Sequence, residues 1–217
     1  IWSELKDPLD FSNPNPVGTG PFTEILRFNS QVWELGKNHN YWQPGKPHVE
    51  KLIFPTFSSN EQTTLALLSG NLDWAGAFIP AIQRIFVDKN PEHHHYWFRN
   101  TGYSTFLHTN TKDPILKNAN VRKAISYAIN REQVVKVGMY DYTVPAHVTS
   151  LSGPMSKWHS PEINEKENWT NFNLEKANEL LDIAGYKWKN KKERINSSGS
   201  PIKFDIIVVS GWSDWVR

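Results

Sequence analysis

Apolar and polar positions along this chain repeat with more than one period, and the period changes mark its elements. Residues 22–28 and 31–35 alternate or run apolar with β-branched and aromatic side chains on either side of Asn29-Ser30, which predicts a β-hairpin. Residues 38–48 are rich in Asn, His, Pro and Gly and predict a loop. Residues 49–57 predict a further strand. Ser58 or Ser59 then caps a helix with Glu61 in its first turn, running through Leu65 and Leu68 to a stop at Gly70. A short strand is expected at 72–76, a helix from Pro80 to about Asp88, and extended chain at 96–109.

Beyond Asn110 the three-to-four-residue period dominates. Asn118 or Asn120 starts a helix over 121–128 with Ile125, Ala128 and Ile129 on one stripe, and 131–138 continues helical. Asn173 starts another helix, 174–184, which ends at Gly185 as a left-handed C-terminal glycine should. Residues 202–210 alternate and then run apolar through Ile206, Ile207, Val208 and Val209, predicting a half-buried or fully buried strand. Alternation of strands and helices implies an α/β fold with mixed sheets flanked by helices, divided near residue 110. The chain ends just past this last strand, so it is expected to be a fragment truncated at the C-terminus.

Composition narrows the function classes. The net charge is only +2, and the one dense basic run, Lys189, Lys191, Lys192 and Arg194, is read as a solvated loop. Nucleic-acid binding, which needs a broad basic face, is not expected. The chain has no cysteine, hence no disulfide or thiolate metal site. His93, His94 and His95 are adjacent on an extended segment and point to alternate sides, so they cannot converge on one ion; no metal or other cofactor is expected. No phosphate loop, nucleophile elbow or dinucleotide fingerprint is present. Paired carboxylates drawn from Glu24, Glu34, Asp73 and Asp214 leave a glycosidase as the enzyme alternative to a non-enzymatic binder. The distinctive feature is aromatic: Phe, Trp and Tyr make up 13% of the chain, with ten Trp, and indoles suit the flat recognition of sugar faces.

Five blocks stand out: Asn15-Pro16-Val17-Gly18-Thr19-Gly20-Pro21-Phe22, Asn40-Tyr41-Trp42 with Gly45-Lys46-Pro47, Leu68-Ser69-Gly70-Asn71-Leu72-Asp73, the run from Asn120 to Arg131, and Ala177 to Tyr186. Together they resemble the solute-binding subunits of the oligopeptide and dipeptide family of ABC importers. The resemblance implies part of a two-lobed, periplasmic-binding-protein-like fold of the class II type. Residues 1–108 would belong to the first lobe and 109–217 to the front half of the second. It also implies a monomer outside the cytoplasm, periplasmic or extracellular. Such a monomer hands its ligand to a membrane permease after hinge closure, and associates with the membrane through the transporter or a lipid anchor.

Within that family, Gly70 to Trp74, Phe78-Ile79-Pro80, His94 to Trp97 and Ser210 to Asp214 look more like chito- or cello-oligosaccharide binders than peptide binders. The ligand-binding residues expected on this reading are Trp212, Trp215 and Asp214 after the last strand, Trp74 and Phe78 at the cleft floor, and Trp97 and Tyr103 on the segment crossing between lobes. Trp2, Trp33, Trp42, Trp169 and Trp188 are expected to pack against neighbouring turns.

Overall fold

The computed structural model describes residues 17–98, 104–166 and 168–212. Its elements run β1 (Phe22–Phe28), β2 (Val32–Lys37), β3 (Lys51–Pro55), α1 (Asn60–Leu68), α2 (Ile82–Ile85), α3 (Ala119–Ala128), α4 (Arg131–Gln133), α5 (Pro161–Lys166), α6 (Leu174–Ile183), β4 (Lys187–Asn190) and β5 (Glu193–Ile195). The chain divides into two compact units at Thr63/Thr64.

In the first unit β1, β2 and β3 form one antiparallel sheet in sequence order. The hairpin turn is closed by Asn29, whose side-chain oxygen accepts the backbone N–H groups of Gln31 and Val32, each at 2.9 Å. An Asx turn of this kind satisfies donors that the ladder leaves over. Phe28 then faces Trp33 with ring centroids 5.2 Å apart, and Arg27 pairs with Glu34 at 3.1 Å. Gly36 stands opposite Glu24, where a side chain's first carbon would lie only 2.9 Å from the Glu24 carboxylate, so any larger residue would have to displace the Glu24 side chain.

Helix α1 crosses the division. Ser59 starts it by accepting the Gln62 N–H on its hydroxyl and the Thr63 N–H on its carbonyl, while the Gln62 side chain reaches back to Ser58 N at 3.2 Å. At the other end Asn71 N–H bonds to Ala66 O and Gly70 N–H to Leu67 O, with Gly70 at φ 74°, a Schellman closure.

The second unit is organised by α3 and α6. Asn118 and Asn173 cap these helices through their side-chain oxygens. Val121 is fully buried, and Ala124, Ala177 and Leu180 form a core cluster with Tyr127 and Leu181 against it. Small residues at the crossing let the two backbones approach closely. Polar groups complete the join: Asn173 N–H donates to Tyr127 O, Ser126 Oγ to Trp169 O, and the Arg131 guanidinium spans Ser126 O and Thr170 O, both at 2.9 Å.

Four sequence expectations need correction. Residues 72–76 and 202–210 form no ladder among the described residues; the bridge of Ile195 to Pro201 stops one residue short of the second run. Residues 206–209 are exposed, Ile207 at 95%. An apolar run becomes a strand only beside an edge whose hydrogen-bonding groups it can pair, and no described strand presents that edge to it. The expected helix 80–88 is broken into α2 and a 3-10 turn, Val87–Lys89, because Phe86 leaves helical geometry at φ −129°. The helix expected over 131–138 is present, widening from α4 into a π turn over Val134–Gly138. Finally, the basic run is the β4–β5 hairpin rather than a loop, and Arg194 is buried within it.

That arginine joins the hairpin to α6. Its guanidinium donates to Tyr186 O at 2.6 Å, Asn178 Oδ1 at 2.9 Å and Asp182 Oδ1 at 2.9 Å, and lies 4.3 Å from the Trp188 ring centroid. The bond from Arg194 holds the Asp182 carboxyl below the ordinary carboxylate range. Lysine cannot reproduce the planar fork. Arg194→Lys is therefore expected to lower stability by about 2 kcal/mol, read from urea midpoints. Because the folded-state pKa of Asp182 is depressed, its contribution is complete above the ordinary value of 3.8 and is lost as pH falls below it. Asp182→Asn should accordingly flatten the acid limb of the stability–pH curve while leaving its shape at neutral pH unaltered.

Candidate ligand-binding site

The expected site residues fall in different environments. Trp74 and Trp97 are each 77% exposed, Trp212 is 47% exposed, and Phe78 is buried at 8%. Tyr103, Asp214 and Trp215 lie outside the described residues. A cavity of about 430 Å³ bordered by Trp188, Arg194, Ile202 and Lys203 includes none of them.

What surrounds Phe78 is a cluster of rings that the sequence reading did not anticipate. Phe78 meets Phe98 edge-on at 6.4 Å and Tyr142 at 6.1 Å. Tyr142 also lies 5.6 Å from Phe98, 5.9 Å from Tyr96 and 6.0 Å from Tyr140. Three stretches of chain, distant in sequence, thus converge on one phenol. Spacings of 4.5–7 Å in tilted or edge-on geometry are those at which aromatic quadrupoles attract. The hydroxyl of Tyr142 accepts the Ile82 N–H at 3.2 Å, and burial pushes its pKa above the ordinary phenol value.

The backbone around this cluster is unusual. Ala81, Tyr140 and Asp141 all adopt left-handed conformations, at φ 51°, 51° and 59°. For a residue with a side chain each costs on the order of 1–2 kcal/mol, so the surrounding contacts must hold them. A sequence signal for part of the cluster existed: Tyr96 and Phe98 flank Trp97 at the period that puts rings on one side of an extended chain, whereas Tyr140 and Tyr142 are brought together by the turn at Tyr140-Asp141.

Within the histidine run, His94 is accounted for by packing. His94 stacks on Phe86 at 4.0 Å, nearly parallel, and its Nδ1 lies 2.8 Å from Phe86 O. Among the described residues no group of three or more His, Cys, Asp or Glu side chains is placed to hold a metal ion. Of the carboxylates considered for acid–base work, Glu34 is held by Arg27 in the β-sheet.

Comparison with known proteins gives the class. Residues 2–217 match the middle region of the bacterial extracellular solute-binding proteins, family 5, and the chain belongs to that family. Its α/β fold is that of periplasmic binding proteins. It superimposes with a TM-score of 0.74, at 28% identity and over 95% of its length, on the periplasmic oligopeptide-binding protein of Thermotoga maritima crystallised with mannohexaose. A second solved relative, DppA of Helicobacter pylori in complex with the peptide STSA, matches at TM-score 0.55 and 28% identity over 79% of the chain. Among curated proteins, the glutathione-binding protein GsiB of Escherichia coli K12 is 29% identical over 171 residues. The chain spans 32% of that relative's length and 40% of the Thermotoga protein.

Exposure separates the roles of these aromatics, and substitution should do the same. Trp74→Ala is expected to change stability by no more than about 0.5 kcal/mol, as a surface position would. Phe78→Ala should cost about 3–5 kcal/mol, the range for emptying a buried aromatic site. Thermal unfolding of the two variants side by side checks both values.

Proposed function

We propose that this chain is part of a non-enzymatic solute-binding component of an ABC importer. It works outside the cytoplasm as a monomer and captures a β-linked oligosaccharide of the chito- or cello- type. The observation that carries this reading is the pair of exposed indoles, Trp74 and Trp97, on chain segments joined through the ring cluster of Phe78, Tyr96, Phe98 and Tyr142, in which Phe78 is buried. An exposed indole costs free energy unless a flat apolar partner covers it, and the C–H faces of a β-linked sugar are such partners. The 28% identity to a protein solved with an oligosaccharide supports the same reading.

Residues 1–108 and 109–217 would then contribute to two lobes, and ligand bridging them would favour the closed state that the permease recognises. Tyr103, Trp212, Asp214 and Trp215 complete the set of contacts in this proposal. Binding, with no bond made or broken, is the whole of the chemistry.

A peptide ligand is the second reading, favoured by the 28% identity to a protein solved with the peptide STSA. Calorimetry of the full-length parent with mannohexaose, cellobiose, chitobiose, glutathione and a tripeptide separates the two. Dissociation constants on the order of micromolar or tighter for a sugar are expected. Peptide-only binding would keep the family and overturn the ligand class. On the oligosaccharide reading, Trp212→Ala should weaken sugar binding by about 1–3 kcal/mol, the scale of one lost aromatic contact.

A further inference from the structure

Two exposed indoles make a usable site only if something fixes the chain segments that carry them. Trp97 is turned outward because its neighbours Tyr96 and Phe98 both lie against Tyr142, the alternation an extended chain imposes. Trp74 precedes a segment anchored at two points: Phe78, buried against Phe98 and Tyr142, and Ile82, whose N–H donates to the Tyr142 hydroxyl. Ile82 opens α2, so its amide has no intrahelical acceptor, and Ala81 at the capping position offers no side-chain oxygen. The Tyr142 hydroxyl takes that role from a point sixty residues away in sequence.

We propose that Tyr142 is a positioning residue for ligand binding: it pins the segment of Trp74 and Phe78 to the segment of Trp97, holding the two indoles in a fixed relation. Because Tyr142 lies beyond the lobe boundary proposed near residue 108, it also ties that pair to the portion of chain assigned to the second lobe. The consecutive left-handed residues Tyr140 and Asp141 deliver its ring into the cluster, and the cluster's contacts hold that turn in place. A site preorganised in this way loses less freedom on binding, so the effect is expected mainly in the dissociation rate. The proposal rests on the reading that Trp74 and Trp97 meet the ligand.

The test uses the full-length parent carrying 5-fluorotryptophan, with the Trp74 and Trp97 fluorine resonances assigned from Trp74→Phe and Trp97→Phe. Tyr142→Phe removes only the hydroxyl, and Tyr142→Ala removes the ring. In Tyr142→Phe the Ile82 amide should exchange with solvent about tenfold faster or more, and the resonances of Trp74 and Trp97 should shift or broaden while those of Trp33 and Trp42 stay in place. Affinity for whichever of mannohexaose and tripeptide the parent binds should fall about 3- to 10-fold in Tyr142→Phe and further in Tyr142→Ala, with the change in dissociation. A merely structural tyrosine would lower the melting temperature and leave the affinity of the folded protein within about twofold, and that result overturns the proposal. So do unchanged fluorine spectra together with unchanged Ile82 exchange. If the parent binds neither probe, the ligand reading has failed, while the fluorine and exchange measurements still decide whether Tyr142 positions the indoles.

Discussion

Helices α3 and α6 can meet closely because Ala124 and Ala177 bring only methyl groups to their crossing, and much of the second unit is built outward from that contact. With the two helices in register, the Tyr127 carbonyl lies where Asn173 N–H needs an acceptor, and Arg131 can reach Thr170 and Ser126 together. On the far face of α6, Asn178 and Asp182 receive Arg194 and so fix the β4–β5 hairpin. Each polar contact is worth little alone; the close packing makes them simultaneous.

The same unit carries a second, differently built centre. Around Tyr142 the contacts are between rings, and the backbone pays for them in left-handed residues at Ala81, Tyr140 and Asp141. Aromatic packing of this kind rigidifies chain that has no ladder of its own, such as 96–98. Binding surfaces on irregular chain need such support, because a side chain on a loose segment gives up on ordering much of what its contact gains. That is the physical link between the ring cluster and the exposed Trp74 and Trp97.

Elements whose signal is local were legible in advance. The Asn caps of α3 and α6, the Gly70 and Gly185 stops and the Asn29 turn each depend on a residue bonding to chain within a few positions, and each was found where the pattern put it. Strands at 72–76 and 202–210 were not found, because a strand is half of a pair and the sequence of one half says nothing of whether a described neighbour exists. Arg194 misled for a related reason. A run of lysines looks solvated, yet one member of it was drawn inward by carbonyls and a carboxylate on α6 that only the hairpin's return brings near.

For the site, the sequence by itself determined the supply of chemistry: many indoles, no thiols, little net charge, and the motif blocks that mark the family. Tertiary structure decided which aromatics are surface and which are support. Phe78 and Trp74 are four residues apart and similar in character, yet one is enclosed by Phe98 and Tyr142 and the other faces water. Burial is a property of what lies opposite a side chain, and what lies opposite Phe78 comes from residues twenty and sixty-four positions further along the chain. No local period encodes a partner at that distance; the fold has to bring it there.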